Sequence, residues 1–492
     1  MSYSFLSSIK IDKGKAQAVY VQLAQELALV IKQGIVKPGQ KLPGSRTMAE
    51  LLLLNRNTIT LALEELQAQG WIVIKNKSGA YVNDALPEIR LQQPAANIET
   101  NLPEQKFDLE INELLLPPQV SSCRLQFNDG EPDIRLSPLN ELGREYHRLL
   151  KKTGYKHLFS YNYAEGDPEL RKVIAGQLNE FRGFDISEEN VFITRGSIMA
   201  IYLLSRVCLK PGDKVAIAEL NYMTGNLCFE NTGAKLIRVP LDEKGMQTEE
   251  LENILAHEKI RLLYITSHHQ HPTTVCLAPE RRLHLYELAK KHSFLIIEDD
   301  YDFDYHYKHK PTLPIAGLDK QGLVAYIGSY SKIIYPGIRL GYLVASPHII
   351  KELVKYRRIV DRQGDHLLER AIANLFKDGT MQRYLRKSIK IYEKRKEFFC
   401  AILEEEFKPY LDFTEPEGGM AVWVKFKNGY DLEEISKRCA EQQLSISSGV
   451  FYDPPGKRNN ACRLGFVHMN EIELREACDI LLETFRKFKQ TS

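Results

Sequence analysis

A lysine, two hydroxyls and an arginine follow one apolar segment closely enough to act on a single ligand. Residues 323–328 form a short apolar run that predicts a buried strand. Ser329, Ser331 and Lys332 come directly after it, and Arg339 stands seven residues beyond the lysine. This group can bind an anion while the lysine amine meets an aldehyde. A lone lysine after a strand is usually a surface charge, so it is the whole group of residues that indicates a ligand site.

Two other predicted strands also end in polar groups. Asp299 follows the apolar run 294–298, which places a carboxylate at the carboxyl edge of a parallel sheet, where ligands bind. Ser197 follows the strand Val191–Thr194 and a glycine at the start of a helix, which is typical of a phosphate cradle. A strand-end cap and an ordinary helix cap are the structural alternatives. Arg463, in an apolar run, suits a substrate carboxylate, although a structural salt bridge is the commoner fate.

Together these groups match the needs of pyridoxal 5′-phosphate (PLP). This cofactor requires a lysine for a Schiff base, an acid that keeps its pyridine nitrogen protonated, phosphate donors and an aromatic face. Lys332, Asp299 and Ser197 supply the first three. We therefore predict PLP as the cofactor.

The composition indicates an ordinary globular protein of several domains. The chain has 492 residues, of which 43% are hydrophobic and 26% charged, with a net charge of +2. At about 150 residues per domain this length suggests two to four domains. The charge is uneven: residues 1–82 carry +5, residues 83–141 carry −7 and the remainder carries +4. A basic head favours a polyanionic partner, and a near-neutral body favours a small-molecule site.

Membrane, secretory and metal-binding classes find no support in the sequence. No apolar run approaches the roughly 18 residues of a membrane span, and the amino terminus lacks the apolar stretch of a signal peptide. The eight cysteines are scattered without a CxxC pair, which is typical of reduced core thiols rather than a metal or redox site. We expect a cytoplasmic protein with no metal site and no membrane contact.

The basic head predicts three helices and a hairpin. Apolar residues recur every three or four positions in residues 20–31, Ser45 is placed to cap a second helix, and Asn55 to cap a third. The runs 71–74 and 80–82 predict a β-hairpin with a basic tip. Such a shape binds DNA, with helix starts and the hairpin tip facing the duplex; the alternative is a protein-interaction head with solvated charges. The candidate DNA-binding residues are Ser45, Arg46, Arg56, Asn57, Thr58, Thr60, Lys75 and Lys77.

Residues 19–82 resemble the winged helix-turn-helix of GntR-type bacterial regulators. The matching elements include Tyr20-x-Gln22-Leu23, Pro38-Gly39, Leu42-Pro43, Arg56-Asn57-Thr58 and Ser78-Gly79. The resemblance implies binding to double-stranded operator DNA.

The rest of the chain divides into a linker and an α/β body. Residues 84–125 contain five prolines and little periodicity, which predicts an extended linker. From residue 126, short apolar runs alternate with helical stretches, which predicts a mostly parallel sheet. A long helix near residues 371–399 and an α+β region after Tyr410 follow. The predicted domains are thus a DNA-binding domain (1–83), a linker (84–125) and a large domain (126–492).

The large domain resembles the fold type I aminotransferases of class I and II. The resemblance makes Lys332 the Schiff-base lysine, Asp299 the acid at the pyridine nitrogen, and Arg463 the arginine for a substrate or effector carboxylate. Tyr161, with Tyr163 as a competitor, corresponds to a tyrosine that reaches the neighbouring subunit's phosphate. The remaining implied contacts are Tyr301 at the ring 3-oxygen, Tyr222 stacked on the ring, and Ser197, Ile198, Ser329 and Arg339 at the phosphate.

The sequence departs from the aminotransferase pattern in three places. His271 stands where the enzymes place an asparagine facing the cofactor's 3-oxygen, and Thr274 replaces a glycine. The segment before Tyr222 also lacks the usual Pro-Gly. We therefore predict PLP binding with weak or vestigial transaminase activity. His271 is interpreted either as a cofactor contact or as a solvent-facing loop residue.

A GntR head, a proline-containing linker and an aminotransferase body together resemble the MocR/GabR-type regulators. The resemblance implies a PLP-dependent transcriptional regulator that senses a small amine, an amino acid or PLP itself, and a head-to-tail, domain-swapped homodimer. One alternative is an active aminotransferase whose head is a docking element. Another is a scaffold that no longer binds PLP, against which Asp299, Lys332 and Arg339 argue.

Overall fold

A computed structural model describes residues 3–15, 17–75, 78–86, 121–307, 312–454 and 456–491. The chain divides into two compact units, residues 1–112 and 113–492. Most of the predicted linker, residues 87–120, lies outside the described residues, as does the candidate DNA-binding residue Lys77.

The first unit is built from helices and one hairpin around a small core. Its elements are α1 (Val19–Lys32), α2 (Ser45–Leu52), α3 (Arg56–Ala68), β1 (Ile72–Lys75) and β2 (Gly79–Val82). The apolar stripe predicted for residues 20–31 is buried, with Leu23 and Leu27 packed beside Met48 and Leu66. Burial of this stripe drives the helices together, because an isolated helix of this length is only marginally stable.

The predicted caps of the head are right for α3 and wrong for α2. Asn55 caps α3, since its side chain accepts a hydrogen bond from the Asn57 amide at 2.8 Å. Gly44 stands at the cap position of α2. Ser45 is instead the first helical residue, and its hydroxyl accepts a hydrogen bond from Nε of Arg56 at 3.3 Å.

The second unit alternates strands and helices, as predicted. Its strands are β3 (Leu125–Phe127), β4 (Val191–Thr194), β5 (Lys214–Ala218), β6 (Lys235–Val239), β7 (Leu241–Asp242), β8 (Gly245–Met246), β9 (Leu262–Ile265), β10 (Leu295–Asp299), β11 (Val324–Ser329), β12 (Gly341–Val344), β13 (Leu411–Phe413), β14 (Ala421–Phe426), β15 (Leu444–Ile446) and β16 (Ala461–Gly465). Its helices are α4 (Leu139–Lys151), α5 (Pro168–Arg182), α6 (Ser197–Cys208), α7 (Met223–Glu230), α8 (Thr248–Leu255), α9 (Pro279–His292), α10 (Pro347–Val360), α11 (His366–Lys377), α12 (Thr380–Ile402), α13 (Leu432–Glu441) and α14 (Glu471–Thr491).

The central sheet is mostly parallel, which confirms the predicted fold class. Within the described residues it has seven strands in the order β4-β12-β11-β10-β9-β5-β6. Only β12 runs against its neighbours β11 and β4. Strands β4, β9 and β11 are buried along their whole length, which is typical of a parallel sheet covered by helices on both faces. The carboxyl ends of the parallel strands therefore lie along one edge of the sheet.

The carboxyl-terminal part forms an α+β subdomain. Strands β13, β14 and β16 make an antiparallel sheet, while β15 pairs in parallel with β3. Strand β3 begins at Leu125, the last residue assigned to the linker. The long helix expected over residues 371–399 is wrong in one respect: Gly379, with φ of +78°, separates α11 from α12.

All eight cysteines lie within the described residues and stand outside any disulfide, and five of them are buried. Within the described residues, no helix has both the length and the apolar character that crossing a bilayer requires.

Candidate functional site

The parallel strands place polar groups from distant parts of the chain at one edge of the sheet. Asp299 is the last residue of β10 and Ser329 the last of β11. Ser197 begins α6 just after β4, and Arg339 stands two residues before the antiparallel strand β12. This convergence follows from the shared direction of the strands.

A cavity of about 170 Å³ lies at this edge. Nine of the ten residues predicted to contact the cofactor line it, and only Tyr161 does not. The lining residues are Asp129, Glu131, Ser197, Ile198, Tyr222, Tyr264, Thr266, His271, Asp299, Tyr301, Ser329, Ser331, Lys332, Pro336 and Arg339.

One end of the cavity is a cradle suited to an anion. Gly196 precedes α6 with φ of +87°, and a Cβ atom placed on it would lie 2.8 Å from Nη2 of Arg339. The guanidinium donates to the carbonyl of Arg195 at 2.7 Å, which holds it beside the start of α6. The hydroxyl of Ser331 is buried and has no hydrogen-bond partner among the described residues. Helix amides, hydroxyls and a guanidinium together are a phosphate-binding set.

A buried carboxylate faces the cavity with one oxygen unsatisfied. Oδ2 of Asp299 accepts a hydrogen bond from the Tyr264 hydroxyl at 2.9 Å, whereas Oδ1 has no partner among the described residues. Burial, with the charges of Asp300 and Asp302, raises the pKa of Asp299 to about 7. An unpaired buried carboxylate is costly, so the site fits a ligand that brings a protonated nitrogen to Oδ1.

The lysine side chain is half-buried, and its amine is held by a neighbouring turn. Nζ of Lys332 donates to the carbonyls of Asp129 and Gly130, both at 2.9 Å. Burial lowers the pKa of Lys332, and the charge of Arg463 adds to that effect. A lowered pKa leaves more of the amine in its neutral, nucleophilic form, the form that reacts with an aldehyde.

Aromatic rings stand around the remaining wall. The rings of Tyr222 and His271 meet edge to face with centroids 5.2 Å apart, and Tyr301 donates its hydroxyl to the carbonyl of His269 at 3.0 Å. His271 is buried and lines the cavity, so its interpretation as a solvent-facing loop residue is wrong. Thr274 is also buried, with φ of +62° where a glycine was expected.

Two residues predicted to bind the cofactor or the effector lie away from the cavity. Tyr161 is 72% exposed, and the guanidinium of Arg362 lies 3.8 Å from its ring centroid. Its contact with a neighbouring subunit stays a prediction, as does the competing assignment to Tyr163. Arg463 is buried on β16 behind Asp129, with its Nε 2.7 Å from Oδ1 of that residue.

Sequence reasoning missed several lining residues. Tyr264 and Thr266 stand at the end of β9, and a search for polar groups at every strand end would have found Thr266. Tyr264 looks like an ordinary core residue in an apolar run. Asp129 precedes a glycine in a stretch without periodicity, so the sequence carries no signal for it.

The candidate DNA-binding residues form a separate surface on the first unit. Arg46, Arg56, Asn57, Thr60 and Lys75 are exposed, while Ser45 and Thr58 are half-buried. In the hairpin, the ammonium groups of Lys75 and Lys41 lie 5.0 and 5.7 Å from the ring of Tyr81. Neither Lys41 nor Tyr81 was predicted. Lys41 is far from the hairpin tip in sequence, and Tyr81 looks like an ordinary strand residue.

Comparison with known proteins agrees with both units. The family described as aminotransferase class I and II matches residues 144–481, and the family of bacterial regulatory proteins called gntR matches residues 19–82. The chain is 27% identical to the probable rhizopine catabolism regulatory protein MocR of Rhizobium meliloti, covering 96% of this chain and 95% of that one. It is 28% identical to the HTH-type transcriptional regulator TauR of Rhodobacter capsulatus, with coverage of 96% and 97%.

Solved structures resemble the second unit. A kynurenine aminotransferase of Pyrococcus horikoshii, whose crystal structure contains PMP, matches with a TM-score of 0.68 at 27% identity, covering 74% of this chain and 91% of that one. The match to the aminotransferase family spans more than half of the chain. The chain therefore belongs to the class I and II aminotransferase family and joins to it an amino-terminal GntR-type domain, which is the MocR/GabR-type architecture.

Proposed function

We propose that this protein is a PLP-dependent transcriptional regulator that binds operator DNA and responds to a small amine, an amino acid or PLP itself. The observation that carries the proposal is the cavity: Lys332, the unsatisfied carboxylate of Asp299 and the anion cradle all line it in a chain that also has a GntR-type domain. The named regulators MocR and TauR, which match along nearly their whole length, support the regulatory part.

The lining residues fit PLP on the observations above. Ser197, Ser329 and Arg339 would hold its phosphate, Asp299 would pair with its ring nitrogen, and Lys332 would carry it. When bound, PLP supplies a carbonyl that amines attack and a protonated ring that withdraws electrons. Tyr264 orients the carboxylate of Asp299 by donating to its Oδ2.

We further propose that Tyr301 and Tyr222 contact the cofactor ring and that Ile198 adds its amide to the cradle. His271 takes the place of the asparagine of the enzymes, and burial lowers its pKa despite the neighbouring carboxylate of Asp129. This substitution, together with Thr274, is the reason to expect slow transamination.

We assign DNA binding to the surface formed by Arg46, Arg56, Asn57 and their neighbours on the first unit. Its exposed positions at the start of α3 suit base edges, and those at the start of α2 and on the hairpin suit phosphates. An effector changes DNA binding only if it has different affinities for two arrangements of the protein. We propose a cytoplasmic homodimer, with the domain-swapped form as the specific expectation.

The central test measures DNA and cofactor in the same full-length protein. DNA recovered with the protein from its own cell is sequenced, and the recovered operator is used in mobility-shift assays at several salt concentrations with and without PLP. We expect salt-sensitive binding that PLP or an amine changes. Lys332→Ala should lose the visible absorbance of bound PLP and the response to it, but keep basal DNA binding. An unchanged absorbance in this variant would show that Lys332 is not the attachment point.

The competing function is an aminotransferase whose head is a docking element. The aminotransferase fold of the second unit favours it. Steady-state turnover with a panel of amino donors and 2-oxo acids separates the two functions. Robust turnover together with no salt-sensitive DNA binding would refute the regulator.

A further inference from the structure

A turn of the chain contacts both the amine of Lys332 and Arg463, the arginine predicted to bind an effector carboxylate. Residues 128–131 follow β3 and reach the cavity, where two of their carbonyls accept from Lys332. The carboxylate of Asp129 lies beside Arg463. We propose that Asp129 determines specificity by filling the carboxylate position at Arg463, so that the effector is a primary amine without a carboxylate. This inference rests on the proposed function and narrows the effector class.

Asp129 is bound on several sides. Its Oδ1 lies 2.7 Å from Nε of Arg463 and accepts from the hydroxyl of Tyr452 at 3.3 Å. Its Oδ2 is 3.0 Å from Nε2 of His271. Cation, imidazole and hydroxyl together form the set of partners that a ligand carboxylate would need. The chain thus supplies this carboxylate itself.

Arg463 has no open approach from the cavity. Its side chain is 1% exposed, while that of Asp129 is 41% exposed. Asp129 belongs to the cavity lining given by the described residues, and Arg463 does not. Nη1 of Arg463 donates to the carbonyl of Pro272 at 3.2 Å. A ligand carboxylate would have to displace Asp129 before it could pair with this arginine.

The turn is firmly built, which argues against easy displacement. The amide of Gly465 donates to the carbonyl of Asn128 at 2.9 Å. The side-chain oxygen of Asn128 accepts from the amides of Gly130 and Glu131 at 3.1 and 2.9 Å. Gly130 has φ of +75°, and a Cβ atom there would lie 3.0 Å from Cβ of Met420. Both the backbone conformation and the close packing therefore require glycine.

The charge on Asp129 adds repulsion to this steric argument. Burial opposes its ionisation, but His271 and the permanently charged Arg463 outweigh burial and hold the pKa of the Asp129 carboxyl well below its usual value. A second carboxylate brought to the same place would meet a like charge in a partly buried site, which is strongly unfavourable. An amine without a carboxylate meets no such electrostatic repulsion.

The test compares ligands that differ by one carboxylate. Tyramine and tyrosine form one pair, and cadaverine and lysine another. Each is titrated into the PLP-loaded full-length protein, and binding is followed by the change in the cofactor's absorption spectrum and by the shift in thermal unfolding. We expect the wild type to bind the amine of at least one pair on the order of tenfold more tightly than its amino acid. Asp129→Ala should remove or invert that preference.

Two further variants keep the result interpretable. Asp129→Asn removes the charge but keeps the shape, so it should reduce the preference by less than alanine does. Glu404→Gln removes a negative charge from an exposed ion pair with Lys408, away from the cavity lining, and should leave the preference unchanged. In Asp129→Ala, added acetate should raise the thermal stability by refilling the space at Arg463, which also shows that the variant folds.

The outcomes separate the inference from the proposed function. If the wild type takes up PLP but binds both amino acids as tightly as their amines, or if Asp129→Ala leaves the ratios unchanged, the role of Asp129 is wrong and the regulator still stands. If the wild type takes up no PLP at all, the proposed function fails and the inference fails with it.

Discussion

Replacing Asp299 by asparagine should stabilise the PLP-free protein at neutral pH while weakening its hold on PLP. The carboxylate is buried, with one oxygen unpaired among the described residues, and its pKa is raised from 3.8 to about 7. At about 1.4 kcal/mol per pKa unit, ionising it in the folded state costs roughly 4 kcal/mol. Asparagine removes that cost but leaves an amide to be satisfied, so we expect a gain of about 2–4 kcal/mol.

The gain must depend on pH in one direction. Below pH 3.8 the carboxyl is protonated in both the folded and the unfolded state, so the substitution changes little. As pH rises to about 7, the unfolded chain releases this proton and the folded protein retains it, so wild-type stability falls. Above that pH the difference between variant and wild type should be constant.

Urea unfolding of the PLP-free protein between pH 5 and 8 measures this effect. The chain has two tryptophans, Trp71 and Trp423, so a Trp71→Phe background leaves Trp423 on β14 to report unfolding of the second unit. Asp300→Asn is the matched control, because His268 pairs with that carboxyl at 3.0 Å and holds its pKa below its usual value despite burial. We expect this control to lose stability. A loss or no change for Asp299→Asn at pH 8, or a gain that is as large at pH 5 as at pH 8, would refute the reasoning.

Three further predictions concern the cradle, the DNA surface and the support of the buried acid. Gly196→Ala should abolish PLP uptake in absorbance titrations, because its Cβ would lie 2.8 Å from Arg339. The control Gly176→Ala has open space around the new Cβ and should bind PLP normally. Equal uptake by the two variants would contradict the proposed phosphate cradle. Arg56→Ala should weaken operator binding by about 1–3 kcal/mol in mobility shifts, and unchanged affinity would exclude this contact. Tyr264→Phe removes the hydrogen bond that favours the ionised carboxylate of Asp299. The pKa of Asp299, and with it the pH at which the stability of the PLP-free protein levels off, should therefore rise. An unshifted curve of stability against pH would contradict this role of Tyr264.

Local patterns in the sequence were sufficient to predict the architecture of both units. The stripe at residues 20–31, the cap at Asn55 and the apolar runs ending at Thr194 and Asp299 each depend on neighbours a few positions away. The mistaken features were also local in scale. Gly379 divides one predicted helix into two, and Ser45 lies inside its helix because the extended residue Gly44 takes the cap position.

The cofactor residues could be grouped from sequence because parallel strands carry their ends to a common edge. Strand direction is a property of the alternating pattern, so Asp299 and Ser329 could be expected near each other before any coordinates were known. By contrast, the pairing of Asp129 with His271 joins residues 142 positions apart. No hydrophobic period or sequence motif connects these two residues. Their contact depends on the pairing of β3 with β15 of the carboxyl-terminal subdomain, which places the turn after β3 against the cavity. The sequence thus determined which chemistry the cavity offers, while tertiary packing decided that a carboxylate of the chain itself lies at Arg463.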